Sequence, residues 1–314
     1  MKKFFFGALL AMTAVFTATS CKDEEETPKN IVDLAKGDAN LSTLVDAVVY
    51  ADLATTLSGD TEYTVFAPTN AAFASLLQSL GVSKITDVDK ATVKAILLYH
   101  VIPGEVKSGA ITTGYVKSAS PFGTTTSNLS LYVAKTSAGV TINKDVNVTT
   151  ADLDASNGVV HVVDKVITLP TIVNHALNNP NFSTLVTALT RPDLGVDYVT
   201  LLSGAGPFTV FAPTNDAFAA LLTELGASSL SAIDAATLNK VLQYHVVSGA
   251  NVVASSLTEG QQVTTFQTGK FTITLAGGAK IKDASNRTTN IIVTDVQGAN
   301  GVVHAIDKVL LPAL

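Results

Sequence analysis

Thr64-Val65-Phe66-Ala67-Pro68-Thr69-Asn70 recurs 145 residues later as Thr209-Val210-Phe211-Ala212-Pro213-Thr214-Asn215. Outward from this stretch, Tyr99-His100-Val101 returns as Tyr244-His245-Val246 with the same offset. Asn157-Gly158-Val159-Val160-His161 returns as Asn300-Gly301-Val302-Val303-His304, shifted by 143, and Ser42-Thr43-Leu44-Val45 as Ser183-Thr184-Leu185-Val186, shifted by 141. Constant order with small shifts means one unit written twice, with loop insertions. The period far exceeds the roughly 20–45 residues of solenoid repeats. Each copy is therefore expected to fold as its own domain, over 30–169 and 170–314. Almost no linker is left near Leu169-Pro170-Thr171, so the two are expected to pack semi-rigidly.

Within each copy the pattern changes from helical to extended. Leu41, Leu44, Val45, Val48 and Val49 fall at 0, 3, 4, 7 and 8, one apolar helical stripe, and Phe182, Leu185, Val186 and Leu189 repeat it. A short strand, Tyr63 to Phe66 (Phe208 to Phe211), stops at Pro68 (Pro213), and Thr69 or Asn70 can cap the helix that follows. Phe73, Leu76, Leu77 and Leu80 (Phe218, Leu221, Leu222 and Leu225) mark that helix, and Val93, Ile96 and Leu97 (Leu238, Val241 and Leu242) a third. The second half is rich in Thr, Val, Ser and Gly. Leu129-Ser130-Leu131-Tyr132-Val133 and Phe271-Thr272-Ile273-Thr274-Leu275 alternate as strands do. Val146 to Thr149 and Val159 to Val163 flank an Asn157-Gly158 turn, a hairpin signal. The expected class is α+β, a β-wedge or sandwich buttressed by several helices.

Composition narrows the function. Of 314 residues, 47% are hydrophobic and 15% charged, which excludes a chain disordered by composition. The net charge of -6 argues against nucleic-acid binding, which needs a basic face. A single cysteine leaves no disulfide framework and no cysteine-based zinc site. There is no G-x-S-x-G elbow, P-loop, G-x-G-x-x-G or H-E-x-x-H, so no enzyme and no cofactor are expected.

The repeated segments resemble the fasciclin-like domain family. Its Thr-x-Phe-Ala-Pro-Thr-Asn-x-Ala-Phe hallmark matches Thr64 to Phe73 and Thr209 to Phe218. Its Tyr-His hallmark matches Tyr99-His100 and Tyr244-His245. Its Asn-Gly-x-x-His-x-x-Asp-x-Val hallmark matches Asn157 to Val166 and Asn300 to Val309. Ala71 stands where the family often carries an acid early in the helix; Asp216 keeps it. The resemblance implies two tandem α+β domains, each a seven-stranded β-wedge with helices, and roles in adhesion and extracellular recognition. In animal members the Tyr-His dipeptide is linked to receptor binding, which makes Tyr99, His100, Tyr244 and His245 the candidate binding residues. At a helix–strand junction the same residues would also serve as core anchors. Four of the five histidines recur in register (His100, His161, His245, His304; His175 does not). The pairs invite a metal reading, but His161 in Val-Val-His-Val-Val reads as a buried hydrogen-bonding residue, and no metal is expected.

The N-terminus supplies an address. Lys2 and Lys3 precede a largely apolar run, Phe4 to Phe16, too short to span a membrane but suited to a secretory signal over 1–20. Cys21, the sole cysteine, follows Ala18-Thr19-Ser20 and resembles a bacterial lipobox, with Ala18 where Leu is usual. It is the expected lipidation site, and residues 21–29 the lipidated acidic tether. Lys22 followed by acids resembles the export signal of Bacteroidetes-type surface lipoproteins. From Cys21 onward 18 basic residues face 26 acidic ones, a balance of -8 that points away from the membrane surface. The expectation is a non-catalytic lipoprotein anchored at the bacterial outer membrane and surface-exposed, with a periplasm-facing position the alternative, binding extracellular protein or matrix partners. The alternative is a glycan-binding accessory lipoprotein for polysaccharide capture, tempered by the absence of Trp.

Overall fold

The structure, a computed structural model, describes residues 28–313. The expected signal peptide, the expected lipidation site Cys21 and the tether as far as residue 27 lie outside the described residues. The first copy opens with α1 (Ile31–Gly37), α2 (Ser42–Tyr50), α3 (Ala54–Leu57), β1 (Tyr63–Pro68), α4 (Asn70–Leu80) and α5 (Lys90–Tyr99). Six strands follow: β2 (Val101–Pro103), β3 (Gly114–Pro121), β4 (Asn128–Thr136), β5 (Gly139–Ile142), β6 (Val146–Ala155) and β7 (Gly158–Val163). The second copy repeats the series with α6 (Ile172–Asn178), α7 (Ser183–Leu189), α8 (Tyr198–Leu202), β8 (Phe208–Pro213), α9 (Asn215–Glu224) and α10 (Ala235–Tyr244). Its strands are β9 (Val246–Ser248), β10 (Gln262–Thr264), β11 (Lys270–Thr274), β12 (Lys280–Lys282), β13 (Thr288–Gly298) and β14 (Gly301–Ile306).

Each domain is one seven-stranded sheet with helices, a mixed α+β fold. The strand order is β2-β1-β7-β6-β5-β4-β3, and in the second domain β10-β11-β12-β13-β14-β8-β9, the same path read from the other edge. Only the pairs one strand in from an edge, β1 with β7 and β8 with β14, are parallel. The sheets curl until they nearly close. Edge strands β2 and β3 lie against each other, and beyond β10 the Phe266 N–H reaches the Val246 carbonyl on β9 at 2.7 Å.

The curl gives each domain two cores. In the first, helices cover one sheet face with Leu44, Phe73 and Leu97 against Val65, Ala67, Val160 and Val162. Inside the curl, Phe66 and Val163 meet Leu131, Val133 and Ile142. Strands buried on both faces read as continuous apolar runs, which is why Val159 to Val163 shows no alternation. Local sequence sets the joints. Thr69 accepts from the Ala72 N–H and caps α4, and Thr214 caps α9 in the same way. Gly158 has φ of +135°, and a Cβ there would stand 1.9 Å from the Tyr63 carbonyl oxygen on the neighbouring parallel strand. Gly301 repeats this at 2.1 Å from Phe208. The hairpin glycine is therefore required by a close backbone approach as well as by the turn.

Two sequence expectations change. Val49, Leu80 and Leu225, counted in the apolar stripes, are about half exposed or more (58%, 50% and 55%). Each sits in or just past the last turn of its helix; periodicity gives a face its direction, not the extent of the surface it packs on. The hairpin strand expected over Val146 to Thr149 runs on to Ala155. Register breaks between Val148 and Leu153, with Asp152 at φ 60°, interrupt the alternation that would have marked it. β13 carries the same bulge at Asp295.

Candidate functional site

The repeated histidines are assigned by their backbone partners. The Ile167 N–H donates to His100 Nε2 at 2.8 Å, so the ring proton sits on Nδ1, which donates to the Ile96 carbonyl at 2.7 Å. His245 repeats this with the Leu310 N–H and the Val241 carbonyl. His161 uses the opposite tautomer: the Asp152 N–H donates to Nδ1 at 3.1 Å, and Nε2 donates to the Val106 carbonyl at 3.0 Å. His304 does the same with Asp295 and Val252. A neutral imidazole has one lone pair, and in all four rings a backbone amide occupies it. None is left to bind a metal in this fold. Burial pushes the imidazoles of His100 and His245 down to about 4 and lowers that of His304, so these rings are neutral near pH 7.

Tyr99, His100, Tyr244 and His245 are buried, at most 4% exposed, in the setting of core anchors. Each pair ends a helix and turns into a strand, and the helix-to-sheet packing covers it. The Tyr99 hydroxyl donates to the Ser130 carbonyl at 2.7 Å and accepts from Asn143 Nδ2. The Tyr244 hydroxyl donates to the Lys270 carbonyl and accepts from the Ala284 N–H. Burial raises both phenol pKa values. These residues tie the last helix before the sheet to the strands inside the curl.

Sequence reasoning gave the remaining hallmark polar groups simpler roles than they have. Asn157 does more than open the hairpin turn. Its Oδ1 accepts from the Ile31 N–H, and its Nδ2 donates to the carbonyls of Leu57 and Gly59 at 2.9 and 2.7 Å. Asn300 makes the same three bonds to Ile172, Leu202 and Gly204. Asn70 Oδ1 accepts from the Thr43 N–H while Nδ2 donates to the Ala39 carbonyl, so α4 caps the start of α2. Thr64 Oγ1 donates to the Gly104 carbonyl and accepts from the Val106 N–H. Asp164 grips Asn147 through backbone and side chain, and Asp307 grips Asn290 identically. Recurrence in register was the signal for all of them; the distant partners were not legible.

One constellation resembles catalysis and fails as such. Ser108 Oγ donates to Asp152 Oδ2 at 2.5 Å, and the other Asp152 oxygen lies 3.9 Å from His161 Nδ1. The serine thus touches the acid rather than the imidazole, and the ring's Nε2 proton is given to a backbone carbonyl. The carboxylate that the hydroxyl touches is held below the ordinary range by its bonds to Ser108, so it is a weak base, and no imidazole reaches the hydroxyl. In the second domain Ala254 occupies the serine's position and still donates its backbone N–H to Asp295, so the bond shapes a bulge. Among the described residues no group of three or more His, Cys, Asp or Glu gathers as metal ligands.

What the hallmarks leave open is the surface between and around the domains. Segment 164–171 is no free linker: Ile167 packs inside the first curl, and the Ala299 N–H reaches the Pro170 carbonyl. β13 lies on β4. The Gln297 N–H donates to Ser130 Oγ at 3.0 Å, the Tyr115 hydroxyl donates to the His175 carbonyl and accepts from Asn179, and Lys117 Nζ donates to the Asp295 carbonyl. Tyr115 stands edge-on to both His175 and Tyr132. Two clefts flank this joint. One, of about 270 Å³, is polar, with Asn143, Asp145, Lys165, Thr168, Asn174 and Asn178. The other, of about 390 Å³, is mostly apolar, with Ala95, Leu98, Phe122, Leu129 and Leu169.

Comparison with known proteins accounts for the repeated scaffold. The fasciclin domain model matches residues 39–170 and 180–312, and indicates no catalytic family. "Protein sll1483" of Synechocystis sp. is 43% identical over 150 residues, covering 46% of this chain and 74% of that protein. The pig transforming growth factor-beta-induced protein ig-h3 is 29% identical over 268 residues, 82% of this chain; the match spans only 35% of the animal protein. Among solved structures, the FAS1 domain pair of the insect cell adhesion molecule fasciclin I aligns with 89% of this chain and 95% of its own, at 18% identity and a TM-score of 0.49.

Proposed function

The chain belongs to the fasciclin domain family, and on that premise we propose that it is a non-catalytic adhesion or interaction lipoprotein that binds extracellular protein or matrix partners. The observation that carries this reading is the complete internal use of the hallmark side chains. Every repeated His, and Asn157 with its copy, is hydrogen-bonded to backbone inside the scaffold, so recognition falls to the loops, faces and clefts that differ between the copies. The chain would be held at the outer membrane, facing outward, by acyl groups on Cys21. Two chains suffice for stable anchoring at about 0.8 kcal/mol per buried methylene. Among the described residues no helix is long and apolar enough to cross a membrane.

Deletion of the gene tests the adhesion reading: attachment, aggregation and biofilm formation should fall, and unchanged values for all three refute it. Cys21→Ser tests the anchor; the chain should leave the membrane fraction, and proteinase added to intact cells should digest the wild type if it faces outward. The polar cleft beside Asn174 and Asn178 favours one second reading, capture of a glycan, because converging amides suit hydroxyl-rich ligands. Retention on polysaccharide affinity gels that Asn174→Ala abolishes would support it, and no retention on any gel would remove it.

A further inference from the structure

The joint between the domains is made once, but duplication supplies each of its halves twice. Domain two presents His175 and Asn179 of the α6 region and Asp295 and Gln297 of β13. Domain one receives them on the outer face of β3 and β4, through Tyr115, Lys117 and Ser130. Domain one therefore also has a presenting surface, and domain two a receiving face, and neither is covered within the chain among the described residues.

The spare presenting surface is more acidic than the used one, while the spare receiving face trades Lys117 for Thr264 and Ser130 for Lys270 and gains its excess of positive charge from Lys280 and Lys282 on the adjoining β12. The helix N-caps Asn30 and Thr171 and the anchors Asn157 and Asn300 fix the equivalences. Leu34 stands at the position of His175, Asp38 at that of Asn179, Asp152 at that of Asp295 and Asp154 at that of Gln297. Where the docked surface has one carboxylate, the spare one has three, with Asp152 and Asp154 exposed. Lys107 pairs with Asp154 at 3.0 Å and Ser108 holds Asp152, so the strip is partly engaged yet still acidic.

The spare receiving face is basic. Val263, Phe271, Ile273 and Ile281 point into the second curl, so alternation turns Lys270, Thr272, Thr274, Lys280 and Lys282 outward. Strands β10 to β12 contain no Asp or Glu; of the acids that flank them, Glu259 accepts from the Leu275 N–H, and Asp283, next to Lys282, is buried and accepts from the Arg287 and Leu311 N–H groups. The face also lacks the tyrosines that seal the joint in domain one.

We propose that a second copy of the chain docks its acidic domain-one surface on this lysine face, repeating between molecules the joint made within one. The two surfaces are different, so the contact is heterologous and leaves a free surface at each end, giving head-to-tail strands rather than closed dimers. Opposite charge without aromatic seals makes the contact electrostatic, hence concentration-dependent and salt-sensitive. The inference goes beyond the adhesion reading and does not rest on it.

Sedimentation velocity of the purified full chain tests it. At about 0.1 M salt the mean sedimentation coefficient should rise with concentration, and at about 1 M, where the Debye length falls from about 10 Å to about 3 Å, it should return to the monomer value. K280E/K282E and, separately, D154K should each stay monomeric with unchanged circular dichroism, and mixing the two should restore assembly, because each altered surface then meets an opposite charge. Concentration-independent sedimentation of the wild type, or assembly that survives both variants, overturns the proposal. So does a monomeric wild type that a sulfated-polysaccharide resin retains while K280E/K282E passes through, which would give the face to an anionic glycan.

Discussion

Asn157→Asp is the sharpest probe of the scaffold, because it changes almost no volume and exchanges one NH2 for an oxygen. Asn157 is 4% exposed, and its Nδ2 donates to two carbonyls at 2.9 and 2.7 Å. In the variant two donors vanish, and an oxygen faces the carbonyls of Leu57 and Gly59. Two lost bonds at about 1 kcal/mol each, together with the cost of an unpaired buried charge, give a loss of about 3–5 kcal/mol in the first domain. The new carboxyl is expected to titrate above its ordinary value of about 3.9, because the folded state favours the neutral acid, which can donate to one carbonyl again. Its penalty is therefore full above that raised pKa and shrinks as pH falls through it. Urea unfolding of wild type and variant, followed by circular dichroism at pH 7 and pH 5, gives the difference at each pH. A loss under about 1 kcal/mol at pH 7, or a difference that widens on acidification, refutes the reasoning. Asn300→Asp should transfer the effect to the second domain.

Three further outcomes are expected. His100, His175 and His245 are held near 4 when folded against about 6.5 when unfolded, so the unfolded state binds more protons between those values. Stability should be insensitive to these rings above about pH 6.5 and fall by up to about 3 kcal/mol per ring as pH drops toward 4, a slope that unfolding titrations measure and that His100→Gln should reduce. Gly158→Ala places a Cβ 1.9 Å from the Tyr63 carbonyl at a φ of +135° and should prevent folding of the first domain, whereas Gly37→Ala, with open space around it, should shift the thermal midpoint little. Tyr115→Phe removes the hydroxyl shared by His175 and Asn179 and should cost about 1 kcal/mol at the joint, seen in calorimetry as two domain transitions moving apart.

The repeat, the passage from helices to strands within each copy and the start of α4 were legible in the sequence, while the short helices α1, α3, α6 and α8 were not. Thr69 and Thr214 cap within three residues, and the stripe around Leu44 or Phe73 repeats every turn, so these signals lie inside a short window of chain. The strand alternation of Phe271 to Leu275 is equally local, and the outward lysines follow from it once the sheet is known. The bulges at Asp152 and Asp295 were not legible, because an extra residue in one strand has meaning only against its partner.

The tertiary structure alone assigned the hallmark side chains and joined the domains. His100 meets the Ile167 amide 67 residues away, and Asn157 meets that of Ile31 across 126. Sequence could mark these residues as repeated but not choose between a contact surface and a core anchor, since that choice depends on which distant amide fills a lone pair. The same holds for the joint of Tyr115, Ser130 and Gln297. A hydrogen-bonding group declares its chemistry in the sequence, but its partner is set only when closure of the sheet brings remote backbone within about 3 Å.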